Sequence, residues 1–81
     1  MKLITGRVFK IIVVLKTVGK VRFYADVYRV MEIDKGNFNT IKNGKKNHYF
    51  TVEQIYSFIN HYNINANYLF RNEESMFQNK N

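Results

Sequence analysis

The sequence predicts an all-α domain of five helices within its 81 residues. Apolar residues recur at helical spacing, residues that cap helices precede several of these runs, and glycines follow two of them. The predicted helices span residues 4–17, 22–31, 35–42, 52–62 and 66–70, followed by a tail over 71–81. At this length we expect one domain, residues 1–81, with one small hydrophobic core.

The first two helices are predicted from apolar periodicity. The spacing i, i+3, i+4, i+7 is filled in the first segment by Val8, Ile11, Ile12 and Leu15, and in the second by Tyr24, Val27, Tyr28 and Met31. Gly19 separates the two segments. However, residues 10–14 and 20–30 are rich in β-branched and aromatic side chains, which favours a β-hairpin. Both structures remain open for the first thirty residues.

The later helices carry end signals as well. Asp34 is an expected N-cap, and Gly44 ends the helix that Asp34 opens. Thr51 followed by Gln54 is a capping-box pattern, and Asn65 is the expected cap of the last helix. The inward apolar residues we expect are Phe38, Ile41, Ile55, Phe58, Ile59, Tyr62, Tyr68 and Leu69. We expect Met76 and Phe77 to pack back on the body, while residues 78–81 fray.

The chain is strongly basic, with 13 Lys and Arg against 6 Asp and Glu and a net charge of +7. The first fifty residues hold eleven basic and three acidic side chains, whereas residues 51–81 have a net charge of −1. A polyanionic partner would therefore meet the first fifty residues. The alternative is that these side chains only solvate a helical surface.

Several classes of protein are not expected. The chain has no cysteine, which excludes disulfides and thiolate metal sites. Its longest apolar run, residues 11–15, is too short to span a bilayer, and no cleavage site of a signal peptide follows the amino end. We expect a cytoplasmic protein without a membrane partner.

No pattern of residues indicates catalysis. His48 and His61 have no carboxylate at the spacing of metal ligands, and the four glycines form no phosphate-binding loop. We therefore expect no enzyme activity, no catalytic or metal-binding residue, no cofactor and no small-molecule substrate.

Residues 33–47 hold an ordered pattern. An apolar residue, Ile33, precedes the capping Asp34; a short helix with Phe38 and Ile41 three apart follows, and then Asn-Gly-Lys-Lys at 43–46. Further matches are the helix 52–62, the closing turn 63–70 and the acidic-Met-Phe ending at 73–77. Together these features resemble the Cro/phage-repressor (XRE) family, in its small form from bacteria and mobile elements. The resemblance covers roughly residues 22–77.

The resemblance implies a lambda-repressor-like domain. Helices 22–31 and 35–42 would form a helix-turn-helix, with the second helix in the major groove of double-stranded DNA. The residues expected to contact bases are Lys35, Gly36, Asn37, Asn39 and Thr40. Those expected to contact phosphate are Arg22, Tyr24, Asn43, Lys45 and Lys46. Members of this family are usually homodimers, so the resemblance also implies a nucleoid-associated homodimer that regulates transcription, usually as the repressor of a phage, plasmid or other mobile element.

The chain departs from the family pattern at two positions. Tyr28 stands where a small residue is usual in the first helix of the motif, and Glu32 stands where glycine is usual in the turn. We expect the tyrosine ring to open the helix crossing or tilt outward, and Glu32 to adopt a strained positive φ.

Two other functions remain open. In the first, the altered turn has lost specific DNA binding, and the chain is a protein-interaction module whose Met76–Phe77 end engages a partner. In the second, the aromatic residues are stacking platforms for RNA or single-stranded DNA.

Overall fold

In a computed structural model of the chain, the described residues are 2–45, 47–71 and 75–78. They form five α-helices: α1 Lys2–Thr17, α2 Tyr24–Val30, α3 Lys35–Lys42, α4 Val52–Tyr62 and α5 Ala66–Arg71. Within these ranges the β structure is limited to an isolated bridge between Ile64 and Phe77. The predicted all-α class is thus confirmed for the described part, in which no helix is long and apolar enough to cross a membrane.

The hairpin interpretation of the first thirty residues is wrong, because α1 contains residues 10–14 and α2 begins at Tyr24. The four periodic residues of α1 are each at most 1% exposed: Val8, Ile11, Ile12 and Leu15. In a strand, adjacent side chains such as Ile11 and Ile12 point to opposite faces, whereas a helix buries both. Gly19, two residues after the end of α1, has a φ of 81°.

Four helix bounds differ from the predicted ones. α2 was expected over 22–31, but the Asp26 carboxylate accepts hydrogen bonds from the amides of Arg22 at 2.9 Å and Phe23 at 3.0 Å. Phe23 is therefore extended, and α2 starts at Tyr24, two residues later than predicted; it ends at Val30, one residue earlier than predicted. α1 starts at Lys2 rather than residue 4, and α5 ends at Arg71 rather than residue 70. Neither extension contains a residue that stops a helix.

The turn between α2 and α3 holds the strained residue that was expected. Glu32 has a φ of 56°, in the left-handed region that favours glycine. The Ile33 amide donates to the Tyr28 carbonyl oxygen at 2.9 Å, which closes the end of α2. The half-buried Tyr28 ring packs on Phe38, with 5.4 Å between the ring centroids.

Caps set the ends of α3, which has the predicted bounds. The Asp34 carboxylate accepts from the Asn37 amide at 2.8 Å, and Gly44 follows the helix with a φ of 73°. Phe38 is fully buried and Ile41 is 6% exposed. α3 is thus a short, capped helix held to the body by one apolar edge.

α4 also has its predicted bounds, and the Thr51–Gln54 capping box is present. At its other end Asn63 has a φ of 54°. The Asn65 side chain accepts from the Asn67 amide at 3.0 Å, which caps α5. Met76 and Phe77 pack on the core as expected. The expectation that Gln78 frays is wrong, because its amide donates to the Asn63 carbonyl oxygen at 2.9 Å; residues 79–81 lie outside the described part.

One aromatic cluster joins the helices. The buried Phe38 ring lies 5.4–6.1 Å, between centroids, from four others: Phe9, Tyr24, Tyr28 and Phe50. α1 packs on α5, and α2 packs on both α3 and α4. Because α3 is anchored through Phe38, its opposite side is left for solvent or a partner.

Candidate nucleic-acid interface

The outer side of α3 carries half of the ten residues predicted to contact DNA. At 100° per residue, five of them lie within an arc of about 140°, opposite the buried Phe38 and Ile41: Lys35, Gly36, Asn39, Thr40 and Asn43. Lys35, Gly36 and Asn43 are exposed, while Asn39 and Thr40 are half-buried. No apolar side chain interrupts this arc, which we call the outer face of α3.

Asn37 is predicted to contact a base but lies beside this face. Its side-chain amide donates to the Asp34 carboxylate at 2.7 Å, in addition to the capping bond from its backbone amide. It also lines a cavity of about 200 Å³ between α3 and the loop before α4. One hydrogen of the Asn37 side-chain amide is thus bonded to the capping Asp34, whereas Asn39 lies on the outer face of α3.

Two further features affect how closely the outer face can approach a ligand. The Thr40 hydroxyl donates to the Gly36 carbonyl oxygen at 2.9 Å, so its remaining polar capacity is that of an acceptor. A Cβ at Gly36 would lie 3.3 Å from a carboxylate oxygen of Asp34, tighter than an ordinary contact. Because Gly36 has no side chain, the backbone of the first turn of α3 is accessible to a ligand, and the Asp34 cap is not displaced.

The carboxyl end of α3 holds a basic group that sequence inspection missed. The Lys16 ammonium of α1 lies 3.7 Å from the centroid of the Tyr24 ring, and the Lys42 ammonium of α3 lies 4.7 Å from the same centroid. Cations are attracted to the negative face of an aromatic ring at such distances. Two lysines distant in sequence therefore converge on Tyr24, itself a predicted phosphate contact. We call these three residues the lysine–tyrosine group.

The other predicted phosphate contacts are spread around α3. Asn43 caps the carboxyl end of α3, and the exposed Lys45 follows Gly44. Arg22 is exposed beside the start of α2. Lys46 lies outside the described residues.

A carboxylate lies close to Arg22. The two amides that donate to Asp26, from Phe23 and Arg22, hold the pKa of its carboxyl below the ordinary 3.8 despite some desolvation, and Arg29 and Arg22 lower it further. Asp26 is therefore ionised at neutral pH. Its charge opposes the approach of a phosphate to Arg22, so Lys16, Lys42 and Lys45 are the better phosphate ligands.

Not every basic residue of the first fifty is available to a polyanion. Arg7 donates from a guanidinium nitrogen to the Leu69 carbonyl oxygen at 2.7 Å, which ties α1 to α5. Lys20 is exposed, but it lies toward the tail, 6.0 Å from the centroid of Phe77. Lys16, Lys42 and Lys45 are the cations placed around the carboxyl end of α3.

No metal-binding arrangement accompanies this surface. Groups of three or more His, Cys, Asp or Glu side chains that could hold a metal ion do not occur among the residues that the structure describes. Of the two histidines, His61 packs edge-on against Tyr62, 4.7 Å between centroids, and His48 lies in the loop between α3 and α4.

Comparison with known proteins finds no matching family model and no significant match to a curated protein or to a solved structure.

Proposed function

We propose that the chain binds double-stranded DNA sequence-specifically, with α2 and α3 as a helix-turn-helix and α3 in the major groove. The observation that carries this proposal is the outer face of α3, a continuous polar arc on a capped helix with the lysine–tyrosine group at its end. A DNA-reading helix requires polar side chains toward the base edges and cations that hold the flanking phosphates.

Each part of the outer face has a matching role. Asn39 can bind adenine through two hydrogen bonds, and Lys35 can donate to the acceptors of guanine. The Thr40 methyl can contact thymine, while Gly36 permits close approach of the backbone. Asn37 contributes less to base contacts than Asn39, because its side-chain amide already donates a hydrogen bond to Asp34.

The flanking cations would fix the register of α3 in the groove. Lys16 and Lys42 both lie close to the Tyr24 ring, so two ammonium groups are available to a phosphate at this end of α3. Asn43 and Lys45 follow directly after α3 and continue this track along the backbone. Such phosphate contacts contribute equally to the affinity for every duplex sequence, and they supply the salt-dependent part of the binding free energy.

The turn supports the helix-turn-helix assignment. The Cro/phage-repressor family usually has glycine at the position of Glu32, and Glu32 has a φ of 56°, in the region that favours glycine. The backbone of this turn therefore adopts the conformation expected from the resemblance. We therefore propose a lambda-repressor-like arrangement for the five helices.

Regulation of transcription by a homodimer follows from the same resemblance. A single recognition helix reads too few base pairs, and two copies about 34 Å apart reach successive turns of the groove. Exposed apolar side chains one turn apart on α4, Val52 at 62% and Tyr56 at 55%, offer a surface for the second copy. The proposed role is that of a repressor encoded by a phage, plasmid or other mobile element, acting at the nucleoid.

The experiment that tests this proposal is selection of genomic DNA fragments by the purified chain, followed by salt titration on the selected site and on a random duplex. We expect a site with two-fold symmetry, and a log K that falls by about 0.9 per phosphate contact with log salt. Equal affinity for the selected and random duplexes would contradict sequence-specific binding.

The exposed Val52–Tyr56 pair also favours a second function, a protein-interaction module. In that case neither duplex binds above background, while a variant carrying Val52→Ser and Tyr56→Ser loses its association with protein partners. Loss of dimerisation in this variant, with weaker duplex binding, would support the DNA-binding homodimer instead.

A further inference from the structure

A cavity of about 340 Å³ lies between α1 and the segment that joins α3 to α4. Thr5, Gly6 and Phe9 line it from α1, and Lys42, Lys45 and Tyr49 line it from the other side. Its volume falls within the range of about 300–1,000 Å³ that small-molecule sites occupy. The lining combines aromatic rings with ammonium groups, and none of the described residues that line it is acidic.

The cavity has polar capacity that the fold does not use. The Oγ1 atom of Thr5 is buried and has no hydrogen-bond partner within the described part of the chain. A buried hydroxyl without a partner is unfavourable, since it has lost its bonds to water. Threonine adopts two χ1 rotamers in helices, so its hydroxyl can turn toward an occupant that accepts a hydrogen bond.

From this lining we infer that the cavity binds a small aromatic carboxylate. The carboxylate would pair with Lys45 and accept from the Thr5 hydroxyl, while the ring would pack between Phe9 and Tyr49. An inorganic phosphate would satisfy the ammonium groups but leave the aromatic walls in contact with water. The cavity therefore fits an anion with a flat apolar body better than an anion alone.

The occupant would also regulate DNA binding, a step that rests on the proposed function. Lys42 and Lys45 line the cavity and are at the same time proposed phosphate ligands. A carboxylate paired with Lys45 removes about one phosphate contact, which lowers duplex affinity roughly five- to tenfold near 0.1 M salt. The occupant acts as an effector and is not a substrate.

The first test is calorimetric titration of the full chain, without DNA, with 2-naphthoate as the probe. Neutral 2-naphthamide and inorganic phosphate report the separate contributions of ring and charge. We expect 2-naphthoate to bind at least about tenfold more tightly than either, the effect of one charge-assisted hydrogen bond. Absence of 2-naphthoate binding, or phosphate binding as tight, would overturn the inference.

Variants locate the site. Apart from its chain neighbours and the backbone of its own helix, no atom lies within 4 Å of a Cβ built at Gly6. Gly6→Leu therefore places a side chain at the cavity wall without a clash at Cβ and raises helix propensity. We expect at least tenfold weaker 2-naphthoate binding in this variant, with an equal or higher melting temperature. Lys45→Gln should weaken binding similarly. Lys10→Gln, an exposed lysine of α1 that does not line the cavity, should leave it unchanged.

Thr5→Val separates ligand binding from stability. Since Thr5 Oγ1 bonds to nothing in the described structure, its removal should not lower the melting temperature, while the affinity for 2-naphthoate should fall severalfold. Unchanged affinity in both Thr5→Val and Gly6→Leu would show that the probe binds elsewhere and overturn the site.

The regulatory step has its own readout. Gly6→Leu should bind duplex like the wild type, because Gly6 is not among the proposed DNA contacts. Saturating 2-naphthoate should weaken duplex binding by the wild type and leave that of Gly6→Leu unaffected, because the variant no longer binds 2-naphthoate at the cavity. Equal weakening of both would overturn the regulatory step. If no duplex binds at all, the proposed function fails, and the titration without DNA still decides whether the cavity is a binding site.

Discussion

The ammonium group of Lys16 lies 3.7 Å from the centre of the Tyr24 ring, which joins the end of α1 to the start of α2. Lys42 reaches the same ring from α3. The predicted recognition helix is therefore flanked by charge from another helix, and this arrangement can be tested by removing one ammonium group at a time.

Lys16→Gln and Lys42→Gln should each weaken binding to the selected site and to random duplex by the same factor. Each variant should also reduce the slope of log K against log salt by about 0.9, because one phosphate contact is lost. Fluorescence anisotropy at several salt concentrations measures both quantities. Lys10→Gln removes the same charge from an exposed position elsewhere on α1. A slope that falls equally in this control would show that net charge alone matters.

Asn39→Ala should weaken binding to the selected site by about 1–3 kcal/mol and leave random-duplex binding unchanged, since a base contact is lost. Asn37→Ala should have a smaller effect, because its amide is partly held by Asp34. The double variant should lose most of the sequence preference with nearly the wild-type melting temperature. Asn60→Ala, the same change at an exposed position of α4, is the control. Wild-type preference in the double variant would exclude the outer face of α3 as the reading surface.

Glu32→Gly should raise the free energy of unfolding by about 0.5–1 kcal/mol. Glycine adopts the φ of 56° without the strain that glutamate bears, and this gain exceeds the added entropy of the unfolded chain. Urea denaturation measures the change. Asn63→Gly is the control, since asparagine already tolerates its φ of 54° and should change little. A loss of stability in Glu32→Gly would contradict strain in the turn.

Asp26→Asn should lower the melting temperature at neutral pH, and the difference from wild type should vanish in acid. The folded-state pKa of Asp26 is below its ordinary 3.8, so its ionised form stabilises the fold above that value. This stabilisation is lost as the pH falls through the lower folded-state pKa. Thermal melts followed by circular dichroism between about pH 7 and about pH 2 measure it. Glu53→Gln, which changes an exposed acidic residue in the first turn of α4, is the control. A difference between Asp26→Asn and the wild type that persists at the lowest pH would assign the effect to packing.

Several features of the fold were predictable because they depend on residues near each other in sequence. The bounds of α3 follow from Asp34 and Gly44, and the start of α4 follows from Thr51 and Gln54; all act within one turn of the backbone. The later start of α2 was within reach as well, since Asp26 stands three residues after Phe23, where a carboxylate can reach back to free amides.

The candidate site was predictable only in part. The outer face of α3 follows from helical spacing once Phe38 and Ile41 are assigned to the core. The commitment of the Asn37 amide to Asp34 does not follow, because it depends on a side-chain rotamer. Nor does the engagement of Arg7 with the Leu69 carbonyl oxygen, which joins opposite ends of the chain.

The sequence by itself determined that helices form, where most of them begin and end, and which edge of each is buried, because caps and apolar spacing act locally. Only the tertiary structure decided which cations meet at Tyr24 and that a cavity opens beside Lys45. Those contacts join residues far apart in the chain, and their geometry depends on how α1 packs against the aromatic cluster around Phe38.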